Sequence, residues 1–408
     1  MRRRLLTLTL GCALLAGCGG STTLLKGPTI TGVAATSPQA GEKLGFPAVA
    51  TKNTTRVAGG DPVADAAGVA LAVYPSSGTG THPSAVTIAP TDDWQAALAS
   101  AVLMAPPIRA PILLSASGSL PSATADALNV LAPTGSGAIG GAQVIRVGDV
   151  PSVSGEHTIS IHGQDPYSLA AAIDKYASAA LGKTSVNVVI ASADDSAAPY
   201  SMPAAGWAAE SGEPILFVSG SGVPAATRQA LLSHQNPHIY VLGPPSVIPD
   251  SVLRELGKYG TVRRISGPDP ASNAIAFAKY RDPACPVNQP CAHIPGSFGW
   301  AIRGPGHGYV LINSSRTLDA AAAAPLSASG DFGPELLVPS AGTLPSSVLN
   351  YFLDYATPGY NQEGPTAAVY NHGWVIGDPS AISISVQAQM DRLLEVQPQA
   401  AAANSTGQ

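Results

Sequence analysis

The chain is short of charge. Asp, Glu, Lys and Arg make up 12% of its 408 residues, about half the usual share of a soluble domain. It also lacks a basic surplus: 21 Lys plus Arg face 26 Asp plus Glu, for a net charge of −5. A nucleic-acid binder neutralises phosphates with excess Lys and Arg, so that class is excluded. Aromatics are scarce at 5%, which argues against an extended stacking surface for bases or sugars. After the N-terminus, no run reaches the roughly 20 apolar residues of a membrane span. What the chain does have is 45% hydrophobic residues, enough for a sizeable core, and frequent turn formers, 43 Gly and 37 Pro. Its length gives a prior of two to three domains.

The first residues read as an export signal. Arg2, Arg3 and Arg4 precede an apolar stretch, Leu5 to Ala16, that is too short to cross a bilayer. It ends in Leu15-Ala16-Gly17-Cys18, which resembles the bacterial lipobox. That resemblance implies lipidation of Cys18, removal of residues 1–17 and a membrane partner through the N-terminal lipid; the alternative is an ordinary secretory signal with an incidental Cys. Residues 18–52 read as a polar tether. Losing residues 1–17 removes three arginines and no acid, so the net charge moves from −5 to −8. Of four cysteines, Cys12 leaves with the signal. Cys285 and Cys291 lie between prolines, and a local disulfide is the expected state in an exported protein. Zinc would need more ligands than these two and His293.

An internal repeat organises the rest. Gly59-Gly60-Asp61-Pro62, Gly163-Gln164-Asp165-Pro166 and Gly267-Pro268-Asp269-Pro270 place their aspartates 104 residues apart, twice. Each follows a short β-branched run and precedes an Ala-rich run. Asp at N-cap with Pro at N1 is a helix start. Further on come Pro111-Ile112-Leu113-Leu114, Pro214-Ile215-Leu216-Phe217 and Pro334-Glu335-Leu336-Leu337, each followed by Leu-Pro or Val-Pro and then a strand ending in Gly148, Gly243 or Gly377. The last spacing is 17 residues longer, which places an insertion around 282–298. Strands alternating with helices predict parallel sheets. The expected units are residues 53–157, 158–261 and 262–396, with a disordered tail at 397–408.

This combination resembles the cell wall binding repeat 2 family, whose modules come in threes. The third copy carries the closest likeness, Asp319-Ala320-Ala321-Ala322-Ala323-Ala324-Pro325-Leu326. The resemblance implies an α/β fold of three tandem Rossmann- or Toprim-like parallel-sheet modules in a pseudo-threefold triangular arrangement. It further implies noncovalent attachment to an anionic or peptidoglycan-associated wall polymer, with the Ile-Leu-Leu segments involved. The chain departs from the family where Asp-Pro replaces Arg-Tyr after the Gly turn, where Ala96 and Pro199 stand in register with Asp319, and where Ser160 replaces the Arg found as Arg56 and Arg264.

The polymer-binding candidates are Arg56, Arg146 and Arg264 near strand ends, where α/β sheets bind ligands, with Ile112, Leu113, Leu114, Ile215, Leu216, Leu336 and Leu337. Guanidiniums hold carboxylate or phosphate bidentately; the competing reading is solvated charges or salt bridges between units, and for the aliphatic segments, buried strands. Asp61, Asp165 and Asp269 cap helices or border anion cradles. Glu335 is out of place in a buried strand and is expected to meet an Arg or solvent. Gly135 to Gly140 matches G-x-G-x-x-G but follows a helical pattern, so it reads as a loop. The paired acids Asp92-Asp93 and Asp194-Asp195 read as helix starts. Eight histidines show no metal-ligand spacing, and no cofactor or metal is expected. The reading is therefore an exported, lipid-anchored, non-enzymatic wall-binding protein on the outer face of the membrane. The alternatives are a solute-binding lipoprotein, marked by a deep cleft, or a wall hydrolase, marked by a hydrogen-bonded Ser/His/Asp set.

Overall fold

Each short aliphatic run forms a strand and each Ala-rich run a helix. The computed structural model describes residues 49–283, 285, 296–303, 307–330, 332–360 and 370–398. The signal segment, Cys18, Cys291 and the tail beyond Pro398 lie outside the described residues.

The chain opens with two strands, β1 (Val49–Ala50) and β2 (Thr54–Val57). Helix α1 (Pro62–Val73) leads into a first sheet of β3 (Val86–Pro90), β4 (Ile112–Ser115), β5 (Val144–Val147) and β6 (Thr158–Ile161). Between those strands lie α2 (Trp94–Ala99), a 3₁₀ turn at Ser100–Met104, and α3 (Ser122–Leu131). Helix α4 (Pro166–Leu181) enters a second sheet of β7 (Asn187–Ser192), β8 (Ile215–Val218), β9 (His238–Leu242) and β10 (Thr261–Ile265), with α5 (Ala198–Ser201), α6 (Ala204–Ser211), α7 (Ala225–Ser233) and α8 (Asp250–Leu256). Helix α9 (Pro270–Ala278) enters a third sheet of β11 (Gly308–Asn313), β12 (Glu335–Val338) and β14 (His372–Ile376), with α10 (Leu318–Ser327), α11 (Ser346–Asp354) and α12 (Ile384–Leu393).

One strand order recurs three times: β4-β3-β5-β6, β8-β7-β9-β10 and β12-β11-β14-β2. All these pairings are parallel, and only β1 adds antiparallel to β2. The strand that opens each sequence unit therefore completes the sheet of the unit before it. At the chain's start, β2 closes the third sheet against β14, with Val375 opposite Arg56. The three units form a ring in which every junction is crossed by one Gly-x-Asp-Pro helix.

The core lies where related helices meet. Helix α2 with its 3₁₀ turn, α6 and α10 pack on one another, and their Ala-rich sequences permit close approach. A methyl group on Gly206 of α6 would fall 2.6 Å from Ser327 Oγ of α10. One apolar cluster runs from Val57 to Ile376 through all three units. Strands β3, β4, β7, β8, β11 and β12 are buried along their whole length, as parallel strands covered on both faces are.

Two short pieces lie inside segments read as tether and tail. Strand β1 begins at Val49, and β15 (Gln397–Pro398) pairs in parallel with β13 (Gly359–Tyr360). No helix among the described residues is long and apolar enough to cross a membrane.

Candidate functional site

Each Gly-x-Asp-Pro turn is built the same way. Asp61 accepts from the Val63 and Ala64 amides, Asp165 from Ser168 and Asp269 from Ser272, at 2.7–2.9 Å. The carboxylates thereby occupy the helix-end donors that an anion would use. The glycine is demanded by space: a Cβ on Gly59, Gly163 or Gly267 would lie 2.3–2.4 Å from backbone atoms of the following helix turn.

All three candidate arginines are engaged in holding strand ends. Arg56 is fully buried; it donates to Gln387 Oε1 at 2.9 Å and to the Gly377 carbonyl at 2.7 Å. Burial lowers its pKa to about 10. Arg264 makes the equivalent bonds in the second sheet, to the carbonyls of Gly243 at 2.6 Å and Ile248 at 2.7 Å, and also meets Asp250. In the first sheet Ser160 replaces the Arg, and Arg146 from the partner strand directly opposite fills the role, bonding Ser160 Oγ and the Val150 carbonyl. Each guanidinium thus ties a strand to the loop after its neighbour. Ile112, Leu113, Leu114, Ile215, Leu216, Leu336 and Leu337 are at most 1% exposed, beneath the protein's own helices.

At the junction of the third and first units, Arg316 bridges two buried acids. It lies 2.6 Å from both Asp65 and Asp319, each of which is fully buried. Asp65 also accepts the Gly59 amide at 2.7 Å. Burial raises both carboxyl pKa values, that of Asp319 to about 6, and the acids in turn raise that of Arg316 against its own burial. The matching side chains on α4 and α9 are Leu169 and Asn273, and Asn273 accepts the Gly267 amide at 3.1 Å.

A more accessible group of side chains lies at the junction of the first and second units. Trp94, half-buried at the start of α2, donates to Asp195 at 3.0 Å and packs edge-on to Phe217. Asp194 accepts the Gly220 amide at 3.1 Å, and Ser219 and Ser221 share a hydroxyl bond of 2.8 Å. Tyr167 stands beside them; partial burial, then Asp194 and Asp165, raise its pKa. This rim, at the strand ends of the second sheet, combines aromatic faces with carboxylate and hydroxyl groups, the pairing that suits a hydroxyl-rich ligand.

Two buried titratable groups stand apart. His234 bonds Asp174 through Nε2 at 2.8 Å and the Ser185 carbonyl through Nδ1 at 2.7 Å, and Ser178 donates to Asp174 at 3.3 Å. The order is Ser–Asp–His, with the imidazole held between a carboxylate and a carbonyl, whereas in a hydrolase triad the imidazole bonds the hydroxyl. Glu335 meets neither an Arg nor solvent: it is fully buried, both its oxygens lack a hydrogen-bond partner, and burial raises its pKa well above the ordinary value. The expected insertion is pinned at both ends on Tyr240, which donates to Asp282 at 2.5 Å and stacks on Phe298 at 3.6 Å. Cys285 is buried beside Ile302; its expected pairing with Cys291 lies outside the described residues. Among the described residues no cluster of His, Cys, Asp or Glu could hold a metal ion.

Residues 160–253 match the family model of cell wall binding domain 2. The middle unit is of that family. Two solved structures share the fold. Cwp6 from Clostridium difficile aligns with a TM-score of 0.64 at 18% identity, over 84% of this chain and 48% of that one. Cwp8 from Clostridium difficile gives 0.59 at 19% identity, over 85% and 53%. The chain spans about half the length of either. No curated protein sequence matches it. Tyr167, Asp194, Asp195, Ser219 and Ser221 fall inside the matched segment, and Trp94 reaches in from the unit before. Reading the sequence missed Trp94 and Tyr167. The available signal was a Trp directly after Asp92-Asp93 in a chain with four Trp.

Proposed function

We propose that the protein is an exported lipoprotein, lipidated at Cys18, that binds a cell wall polysaccharide noncovalently and joins membrane to wall without catalytic chemistry of its own. The rim of Trp94, Tyr167, Asp194, Asp195, Ser219 and Ser221 carries this reading, because it gathers half-buried aromatic faces with carboxylate and hydroxyl groups at the edge of the matched segment. Its acidic lining favours sugar hydroxyls over a dense row of phosphates. A lipid anchor acting with a weak polymer site gains avidity.

The test uses the mature chain carrying Cys18→Ser, sedimented with isolated bacterial cell wall. Wild-type rim is expected to co-sediment, and the Trp94→Ala/Tyr167→Ala variant to lose at least ~tenfold in affinity. No co-sedimentation above a control protein overturns the function. Undiminished binding by the variant overturns the rim.

A further inference from the structure

A cleft opens where the C-terminal turn of α4 meets the loop Ala105–Ile108 of the first unit and Gly212 after α6. The void measures about 350 Å³ counted to its open mouth, and the part that encloses a solvent-sized group is about 20 Å³. It therefore admits a side group of a few heavy atoms, not a sugar ring. Pro107, Ile108 and Leu181 supply apolar walls; Asp174, Ser178 and Lys183 supply polar ones.

The other two units do without this polar side. The positions 104 residues before and after Asp174 are Ala70 and Ala278, both buried in the cores of their units. Two units of the ring thus fold with a methyl group where the middle unit carries a carboxylate with a buried histidine behind it. Desolvating such a pair is costly, so the charge has another use. Asp174 is 4% exposed, and its oxygens take one bond each, from His234 and Ser178. A carboxylate has about four acceptor sites, so it can accept one more donor from the cleft. Lys183, exposed at the mouth, is a donor. Apolar walls, one free acceptor and one free donor are the complement of an acetamido group: methyl, N–H and C=O.

We propose that this cleft is a subsite for the acetamido group of an N-acetylated amino sugar in the wall polymer. The N–H donates to Asp174, the carbonyl accepts from Lys183, and the methyl lies against Pro107, Ile108 and Leu181. The inference rests on the polysaccharide reading above and names one of the polymer's sugars.

The mature chain is titrated by calorimetry with the trimer of N-acetylglucosamine, its de-N-acetylated counterpart and maltotriose. The acetylated trimer is expected to bind at least ~tenfold more tightly than either control. Ser178→Leu, which fills the cleft, and Lys183→Ala, an exposed change that leaves the core intact, are each expected to remove that preference, Lys183→Ala while melting at the parent's temperature. Equal binding of the three trimers overturns the subsite, as does an undiminished preference in Lys183→Ala. Wall sedimentation separates the two readings. A parent that sediments with wall but ignores the acetylated trimer retires the subsite alone, whereas one that does neither retires the function as well.

Discussion

Glu335 should make the protein lose stability as pH rises, and its replacement by Gln should remove that loss. The carboxyl begins β12, fully buried against α6 and α10. Among the described residues these elements carry no cation: α6 has Glu210, α10 Asp319, β11 Tyr309, and α9 no ionisable residue. The nearby Gly206 amide, which closes no hydrogen bond to the carboxyl, pulls toward the charged form, and burial outweighs that pull. The unfolded chain titrates this group near its ordinary value of 4.5, while the folded chain keeps it protonated well above that. Between those values the native state holds one proton more than the unfolded state, so unfolding free energy falls by about 1.4 kcal/mol per pH unit. The loss accumulates at that slope for as long as the folded carboxyl stays protonated. Glu335→Gln is isosteric and does not titrate. Urea unfolding followed by tryptophan fluorescence at pH 4, 5, 6 and 7 should give matching stabilities at pH 4, apart from a constant offset, and a variant whose lead grows by about 1.4 kcal/mol per pH unit above 4.5 while the folded carboxyl stays protonated. A difference that does not change with pH would refute the reasoning, since it would mean Glu335 ionises in the folded protein as easily as in water.

Arg316→Met should leave Asp65 and Asp319 buried without a cation, destabilising the protein by about 3–5 kcal/mol at pH 7.5 and by less at pH 5, where carboxyls of raised pKa are protonated; thermal melts at both pH values check the sign. His234 works in the same direction as Glu335, over a higher pH range. Its pKa is raised because the bond to Asp174 overcomes burial, so its contribution is complete below about pH 6.5 and is lost as pH rises through the folded value; a His234→Gln variant should show a flatter stability profile between pH 6 and 8. Gly163→Ala sets a Cβ 2.3 Å from the Leu169 amide and should cost about 1–3 kcal/mol by overpacking, measurable as a lowered urea midpoint.

Local rules made much of the fold legible. Three Gly-x-Asp-Pro turns, each with a physical reason for every residue, gave three helix starts and a 104-residue period; the family resemblance and the three parallel sheets agree with that reading. What stayed hidden was long-range. The run Thr54–Val57 reads as a strand, but nothing in it says that its partner is β14, 319 residues away. Arg56 and Arg264 look like ligand arginines because they lie near strand ends; only the pairing register brings the carbonyls after β14 and β9 to them. The same register explains why Ser160 is tolerated: Arg146 stands opposite and supplies the missing guanidinium. Trp94 and Asp195 meet across 101 residues, beyond the reach of any spacing rule.

These placements also change what the low charge means. With Arg56, Arg146 and Arg264 bonded to carbonyls and Arg316 held between two acids, the arginines that stood out in the sequence serve the ring's joints. Ala-rich helices fill its centre, and a charged side chain there carries a desolvation cost. Charge is therefore scarce because three units share one core, not because the surface is specialised for an apolar partner. Recognition then falls to groups that the joints leave over, and these gather on the middle unit: the rim around Trp94 and the cleft floored by Asp174. The other two units pack alanine at the Asp174 position, so a ring of three similar modules need not hold three similar sites. Exchanging Asp174 for Ala should bring the middle unit to the state of its neighbours, keeping the fold and losing the acetamido preference.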